Sequence, residues 1–166
     1  MKLSPLAGRE SVRHRSILPR FRDAFRGLLR CYREEPNLRF HIFAASVVAV
    51  AGVAVQLEGW ETAWLTVTVT LVVLAEIVNT AVERVVDFAA AGRRHPLAGA
   101  AKEIAAGAVL LTAVHATCAA LYLFVFRRGV LETVTATLAL VGRRPWWLAL
   151  PLLAGLLALN ANRSDN

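Results

Sequence analysis

No glycine-rich phosphate loop, no G-K-[ST] and no protein-kinase signature occurs in the 166 residues, which excludes the two commonest nucleotide-handling designs. Cysteine is scarce. Cys31 and Cys118 have neither metal-binding nor redox spacing and read as free thiols in apolar surroundings. A cleavable leader is not expected, because the basic stretch at the start is too long for an n-region. Acidic residues are outnumbered, 12 Asp and Glu against 19 Lys and Arg, for a net charge of +7. No nucleic-acid recognition motif accompanies that excess and the remainder is apolar, so nucleic acid is not an expected partner.

What the chain does have is hydrophobic length. Of its residues 57% are hydrophobic, and they are gathered into long blocks, which suits a bilayer as solvent. Arginine is concentrated before Phe40, at Arg9, Arg13, Arg15, Arg20, Arg22, Arg26, Arg30, Arg33 and Arg39. An arginine-rich segment running into an apolar span marks the cytoplasmic side and attraction to anionic headgroups.

Residues 1–20 read as a basic cytoplasmic tail. From Phe21 to Glu35, Phe21, Ala24, Phe25, Leu28, Leu29 and Tyr32 recur at helical spacing between arginines. That pattern predicts an amphipathic helix on the membrane surface, broken by Pro36. Phe40–Leu57 is the first expected span. A second starts near Thr62 and continues as helix to about Ala90, and a third covers Ile104–Phe126, its small-residue start favouring close packing. Trp60 and Trp64 fit an interfacial belt, and His115 reads as an interhelical hydrogen-bonding group. The basic tail and the basic loop Gly92–Pro96 belong inside, the acidic Glu58–Glu61 connector outside. Arg127 and Arg128 then fall outside, against the charge rule. After Arg128 the strongly apolar Trp146–Leu159, short for a full crossing, predicts a fourth hydrophobic segment: a span, which is favoured, a tilted one or an interfacial segment. The expected fold is an all-α polytopic bundle in the inner membrane, N-terminus cytoplasmic, with residues 21–128 as its membrane domain and 129–166 as an extension.

The informative segment is Glu76–Asp87. At about 100° per residue, Glu76, Asn79, Thr80, Glu83 and Asp87 share one polar stripe, opposite valine, isoleucine and alanine. An ionised side chain near the bilayer centre costs at least ~2.5–3.5 kcal/mol, so three carboxylates there call for a use or a counter-charge. A solvated helix end explains Asp87 and accommodates Glu83, but it explains Glu76 poorly. Glu34 and Glu35 close the surface helix, and Lys102 and Glu103 begin the third span at the same interface. Carboxylates from two helices, a lysine and a helix start suggest a site for a metal-bound polyphosphate. A carboxylate deeper in the membrane, as Glu76 is expected to be, suits a general base acting on a lipid hydroxyl. Arg39, at the mouth of the first span, either contacts lipid phosphate or snorkels. A competing reading is a non-enzymatic ion or proton carrier using Glu76, Glu83 and Asp87 as a relay.

At Glu35-Pro36-Asn37-Leu38-Arg39-Phe40-His41, at the E-x-x-N-[ST]-A-x-E-x-x-V-D pattern of Glu76–Asp87, and at His95-Pro96-Leu97 followed by Ala101-Lys102-Glu103, the chain resembles the prokaryotic integral-membrane diacylglycerol kinase and undecaprenol kinase family. The resemblance covers roughly Phe21 to Phe126. It implies a homotrimer of three-span subunits with active sites shared between neighbours, and ATP-dependent phosphorylation of a lipid hydroxyl with Mg²⁺. By it, Glu76 matches the catalytic base, Glu35 and Glu83 the metal- and ATP-binding carboxylates, and Asn79 an active-site asparagine. Lys102 matches the phosphate-contacting lysine, Glu103 the acidic ATP contact after it, and His95 falls in the nucleotide-contacting loop. Glu103 replaces the usual aspartate, Asp23 stands where a tyrosine is usual, and the tail after Arg128 has no counterpart in short members. Residues 37–41 and 95–97 look more like the undecaprenol-using branch.

Overall fold

The computed structural model describes residues 17–93 and 95–163, and every regular element among them is helical. Six α-helices follow in order: α1 (Ile17–Glu34), α2 (Pro36–Ala54), α3 (Gly59–Ala90), α4 (Pro96–Leu121), α5 (Val130–Arg143) and α6 (Ala149–Arg163). Among the described residues, α2, α3 and Pro96–Arg127 are long and apolar enough to cross a membrane. The chain is an all-α membrane protein, as its sequence leads one to expect. Most of the expected basic tail lies outside the described residues.

Helix α1 begins four residues before Phe21. Ile17 and Leu18 extend its apolar stripe, and Pro19 sits in the first turn, where a missing N–H costs little. Ile17, Phe21 and Phe25 remain exposed, as suits a helix laying one face into a headgroup layer. Pro36 ends one helix by starting the next: Glu35 is extended, and Pro36 takes the first helical position of α2. The first span therefore starts ahead of Phe40. Arg39 is buried and donates from Nη1 to the Arg33 carbonyl at 2.6 Å, clasping this corner.

The turn from α2 to α3 is tight. A Cβ on Gly52 would stand 3.0 Å from Leu57 Cδ1, so the close approach needs glycine. Glu58 and Glu61 then form a capping box at the start of α3, with the Glu58 N–H donating to Glu61 Oε2 at 2.8 Å. At the other end, Ala91 and Gly92 adopt left-handed conformations and stop the helix. α4 begins at Pro96, eight residues before the expected Ile104, because His95 caps it. The small residues Ala106, Gly107 and Ala108 thus lie inside α4 and are exposed in the single chain. Closer packing occurs further along, where Ala119 is fully buried and His115 Nε2 lies 3.3 Å from Thr68 Oγ1 of α3. His115 is the interhelical group expected of it.

Past α4 the helix widens into π turns over Tyr122–Arg127, which changes the register of the side chains that follow. Leu123 and Phe124 there form a core with Val55, packed by Leu57, Trp64 and Ala136. Arg127 and Arg128 meet the acidic connector. Arg127 pairs with Glu61 and with Glu58 (2.8 Å), Arg128 pairs with Glu61 at 2.8 Å, and Arg127 also lies over the Trp60 ring. The two arginines that offend the charge rule are neutralised where they stand.

Gly129, at φ +85°, turns the chain into α5, and the Thr133 hydroxyl donates to the Phe124 carbonyl at 2.8 Å. α5 and α6 both pack on α2. The α6 end reaches α1, where the Tyr32 hydroxyl donates to the Ala154 carbonyl at 3.4 Å, and Gly155 lies against the Phe43 ring. The expected fourth hydrophobic segment is present as one apolar stretch, opened by a 3₁₀ turn at Pro145–Leu148 and continued by α6. Its apolar helical part, Pro145–Asn160, is about 24 Å long, short of a hydrocarbon core of about 30 Å. α5 and α6 in series instead follow α2 from the connector end back to the α1 end.

Glu61 is fully buried, and removing it takes the carboxylate from Arg128 and leaves Arg127 with Glu58 alone. Glu61→Leu is expected to lower the thermal unfolding midpoint in detergent by about 5 °C or more, with Glu58→Ala lowering it less. A Glu61→Leu protein melting with the wild type would show that the cluster adds nothing.

Candidate active site

The polar stripe of α3 is the first part of the site, and it gathers around the end of the bundle where α1 lies. Glu76 is only 3% exposed, and its Oε1 is 3.4 Å from Nε2 of His41 on α2. One turn further, Asn79 Nδ2 donates to Glu83 Oε1 at 3.0 Å, while the Asn79 Oδ1 is buried without a partner. The buried Thr80 donates to the Glu76 carbonyl at 2.9 Å and accepts from Cys31 Sγ of α1 at 3.6 Å. Glu35, the residue before α2, and Glu83 are both close enough for their charges to act on Glu76. The structure thus sets Glu76, Asn79 and Glu83 along α3, with His41 of α2 against Glu76 and Glu35 at the α1–α2 corner.

The remaining expected residues lie further along α3. Lys102 Nζ pairs with Asp87 Oδ1 at 2.6 Å, and Asp87 is eleven residues beyond Glu76, about 16 Å along the axis. Lys102 therefore stands at the same end of the bundle without touching Glu76. Glu103 is exposed beside it. His95 is exposed too, its Nδ1 accepting the Leu97 N–H at 3.2 Å. Glu34 pairs with Arg84, tying α1 to α3; such an exposed pair adds little stability by itself. Among the described residues, no cluster of three or more His, Cys, Asp or Glu is placed to hold a metal unaided.

A groove of about 520 Å³ opens between α2, α3 and α4. Its wall is alanine, valine, leucine and phenylalanine, interrupted by His41, Thr68 and Thr117. Val72 and Val73, one turn before Glu76, line it, as does His41. The groove runs from the histidine–carboxylate pair toward Phe124 and Val125 near the far end. Such an arrangement accepts an apolar chain and presents a carboxylate near its end.

Sequence reasoning placed His41 in a motif but gave it no chemistry. Nothing in the periodicity of α3 names a partner on α2; the signal was only that a polar ring follows Arg39-Phe40 at a depth matching Glu76. The Lys102–Asp87 pair was likewise unseen, since it joins two helices across a loop.

The sequence profile of the prokaryotic diacylglycerol kinase family matches residues 22–124. A diacylglycerol kinase of Synechocystis sp. is 40% identical over 101 residues, which cover 61% of this chain and 58% of that protein. An undecaprenol kinase of Bacillus subtilis is 37% identical over 121 residues, covering 69% of this chain and 96% of that protein. No solved structure matches.

Because Cys31 is buried against Thr80 and Cys118 is exposed, Cys31 in a Cys118→Ala background is expected to react with a maleimide at least about tenfold more slowly in mild detergent than after unfolding, local opening being required for access. Equal rates would mean that α1 does not pack on α3 beside Glu76.

Proposed function

Because the chain belongs to the prokaryotic diacylglycerol kinase family, we propose that it is a lipid kinase moving the γ-phosphate of ATP to the hydroxyl of a membrane lipid. The observation that carries this reading is Glu76, a buried carboxylate beside an apolar groove. The charged or titratable groups acting on it are His41 and two further carboxylates, Glu35 and Glu83. A carboxylate kept there without an arginine or lysine is not built for stability.

In the proposed mechanism the lipid lies with its chain in the groove and its hydroxyl at Glu76. Glu76 takes the hydroxyl proton as the lipid oxygen attacks the γ-phosphate, and ADP leaves with the bonding electrons. Glu35 and Glu83 would hold Mg²⁺, and the unpartnered Asn79 oxygen is a further hard donor beside Glu83. Magnesium characteristically takes one or two carboxylates together with substrate phosphate oxygens, so this donor set fits without a protein-only cage. When bound, the ion neutralises phosphate charge. Lys102, exchanging Asp87 for phosphate, and Glu103 and His95 beyond it would contact the nucleotide. Positioning and charge neutralisation supply most of the rate.

The α1 end faces the cytoplasm of an inner membrane in this reading, consistent with its arginines. Residues 21–128 are the catalytic unit and 129–166 an extension. The unit works as a homotrimer with sites shared between neighbours, by resemblance to the family. The lipid is diacylglycerol or an undecaprenol-type alcohol. The motif of residues 37–41 and the near-complete coverage of the Bacillus relative favour the second. An ion relay through Glu76, Glu83 and Asp87 is less well supported, because Asp87 is tied to Lys102 and the groove beside Glu76 is apolar.

The test is transfer of labelled phosphate from ATP with Mg²⁺ by purified protein in mixed micelles, offering each lipid alcohol in parallel. Glu76→Gln is expected to lower kcat by about 10²–10⁴-fold while leaving ATP binding in place. Glu83→Gln is expected to raise the Mg²⁺ concentration needed for half-maximal rate. Folded protein that phosphorylates neither lipid would end the kinase reading.

A further inference from the structure

The structure assigns His41 a part in the reaction that rests on the reading of Glu76 just given. We infer that His41 is a positioning residue: its Nε2–H holds one oxygen of the Glu76 carboxylate so that the other faces the lipid hydroxyl.

Three observations carry this. First, the imidazole and carboxylate come from different helices, α2 and α3, and approach at 3.4 Å in a setting where Glu76 is 3% exposed. A buried carboxylate needs a polar partner against the cost of desolvation, and the partner it has also fixes its orientation. Second, His41 also lines the apolar groove, so the ring that meets the carboxylate belongs to the wall a lipid chain would touch. Phe40 packs edge-on to the same ring, at 5.6 Å between centroids and 67°, which limits its rotation. Third, the other titratable groups around Glu76 cannot orient it by donation. Glu35, from the α1–α2 corner, and Glu83, from α3 itself, are carboxylates. Cys31 of α1 is engaged by Thr80. α4 presents Ala113, Ala116 and Thr117 to the groove, none of them titratable.

A glutamate carboxylate, on three side-chain dihedrals, offers either oxygen in several directions. Fixing Oε1 to His41 leaves Oε2 as the proton acceptor. The hydroxyl proton then passes to Oε2, the lipid oxygen forms the new O–P bond, and the broken O–P pair leaves on ADP. His41 gains and loses nothing in that step. Its contribution is geometric, and misplacement of a reacting group by about 1 Å costs on the order of 10²-fold.

The experiment compares His41→Leu, His41→Gln and His41→Asn in the full chain, by ATP-dependent phosphorylation of the lipid alcohol on which the wild type is active. His41→Leu is expected to lower kcat by about 10–10²-fold, with KM for Mg·ATP within about twofold of wild type. His41→Gln, whose amide N–H reaches as far as Nε2, is expected to recover kcat to within about threefold. His41→Asn is one methylene shorter and is expected to stay slow. Should the leucine variant not fold, the glutamine–asparagine pair decides alone. Glutamine as slow as asparagine, or leucine as fast as wild type, overturns the inference. Glu76→Gln in the same assay separates it from the reading beneath: an active Glu76→Gln removes the base, whereas an inactive one beside a fully active His41→Leu removes only His41.

Discussion

Two glutamates are buried among the described residues, Glu61 and Glu76, and burial sets the same terms for both: a carboxylate out of water must be compensated or put to use. Glu61 is compensated completely. It accepts from Arg127, from Arg128 and from the backbone of Glu58, and it closes the connector end of the bundle. Glu76 has a histidine and, nearby, two groups of its own sign. The first arrangement is a fastening. The second is compensated only in part.

The remaining architecture follows from keeping those two glutamates apart. α3 carries both, fifteen residues from one another, so its length separates the fastened end from the chemical end by about 22 Å. The capping box and the π turns after α4 serve the first end. The Glu35–Pro36 corner, the Arg39 clasp and the Cys31–Thr80 contact serve the second. Between them the α3–α4 pair supplies the wall of an apolar groove and little polarity beyond Thr68 and His115.

The spans and the acidic stripe were legible because each rests on a period along one helix. Glu76, Asn79 and Glu83 share a face of α3 whatever surrounds them, and the structure adds His41 to their company. Helix starts were less legible. α2 and α4 begin at Pro36 and Pro96, earlier than hydropathy implies, because a proline at a first helical position opens a helix as readily as it closes one. Apart from the role of His115, whose partner was not named, pairings between helices were not legible: His41 with Glu76, Lys102 with Asp87 and Tyr32 with Ala154 depend on rotations of separate cylinders. The break between α5 and α6 was partly written in Arg143-Arg144-Pro145, but the docking of both helices along α2 was not.

The cluster of Glu58, Glu61, Arg127 and Arg128 also bears on how the chain enters its membrane. Moving one elementary charge through the membrane potential involves about 2.3 kcal/mol per 100 mV. Two carboxylates and two guanidiniums that associate sum to zero, so once they have met, the electric field does almost no net work in carrying them across. Those four side chains then add no net charge to the bias that the arginines of α1 give to insertion.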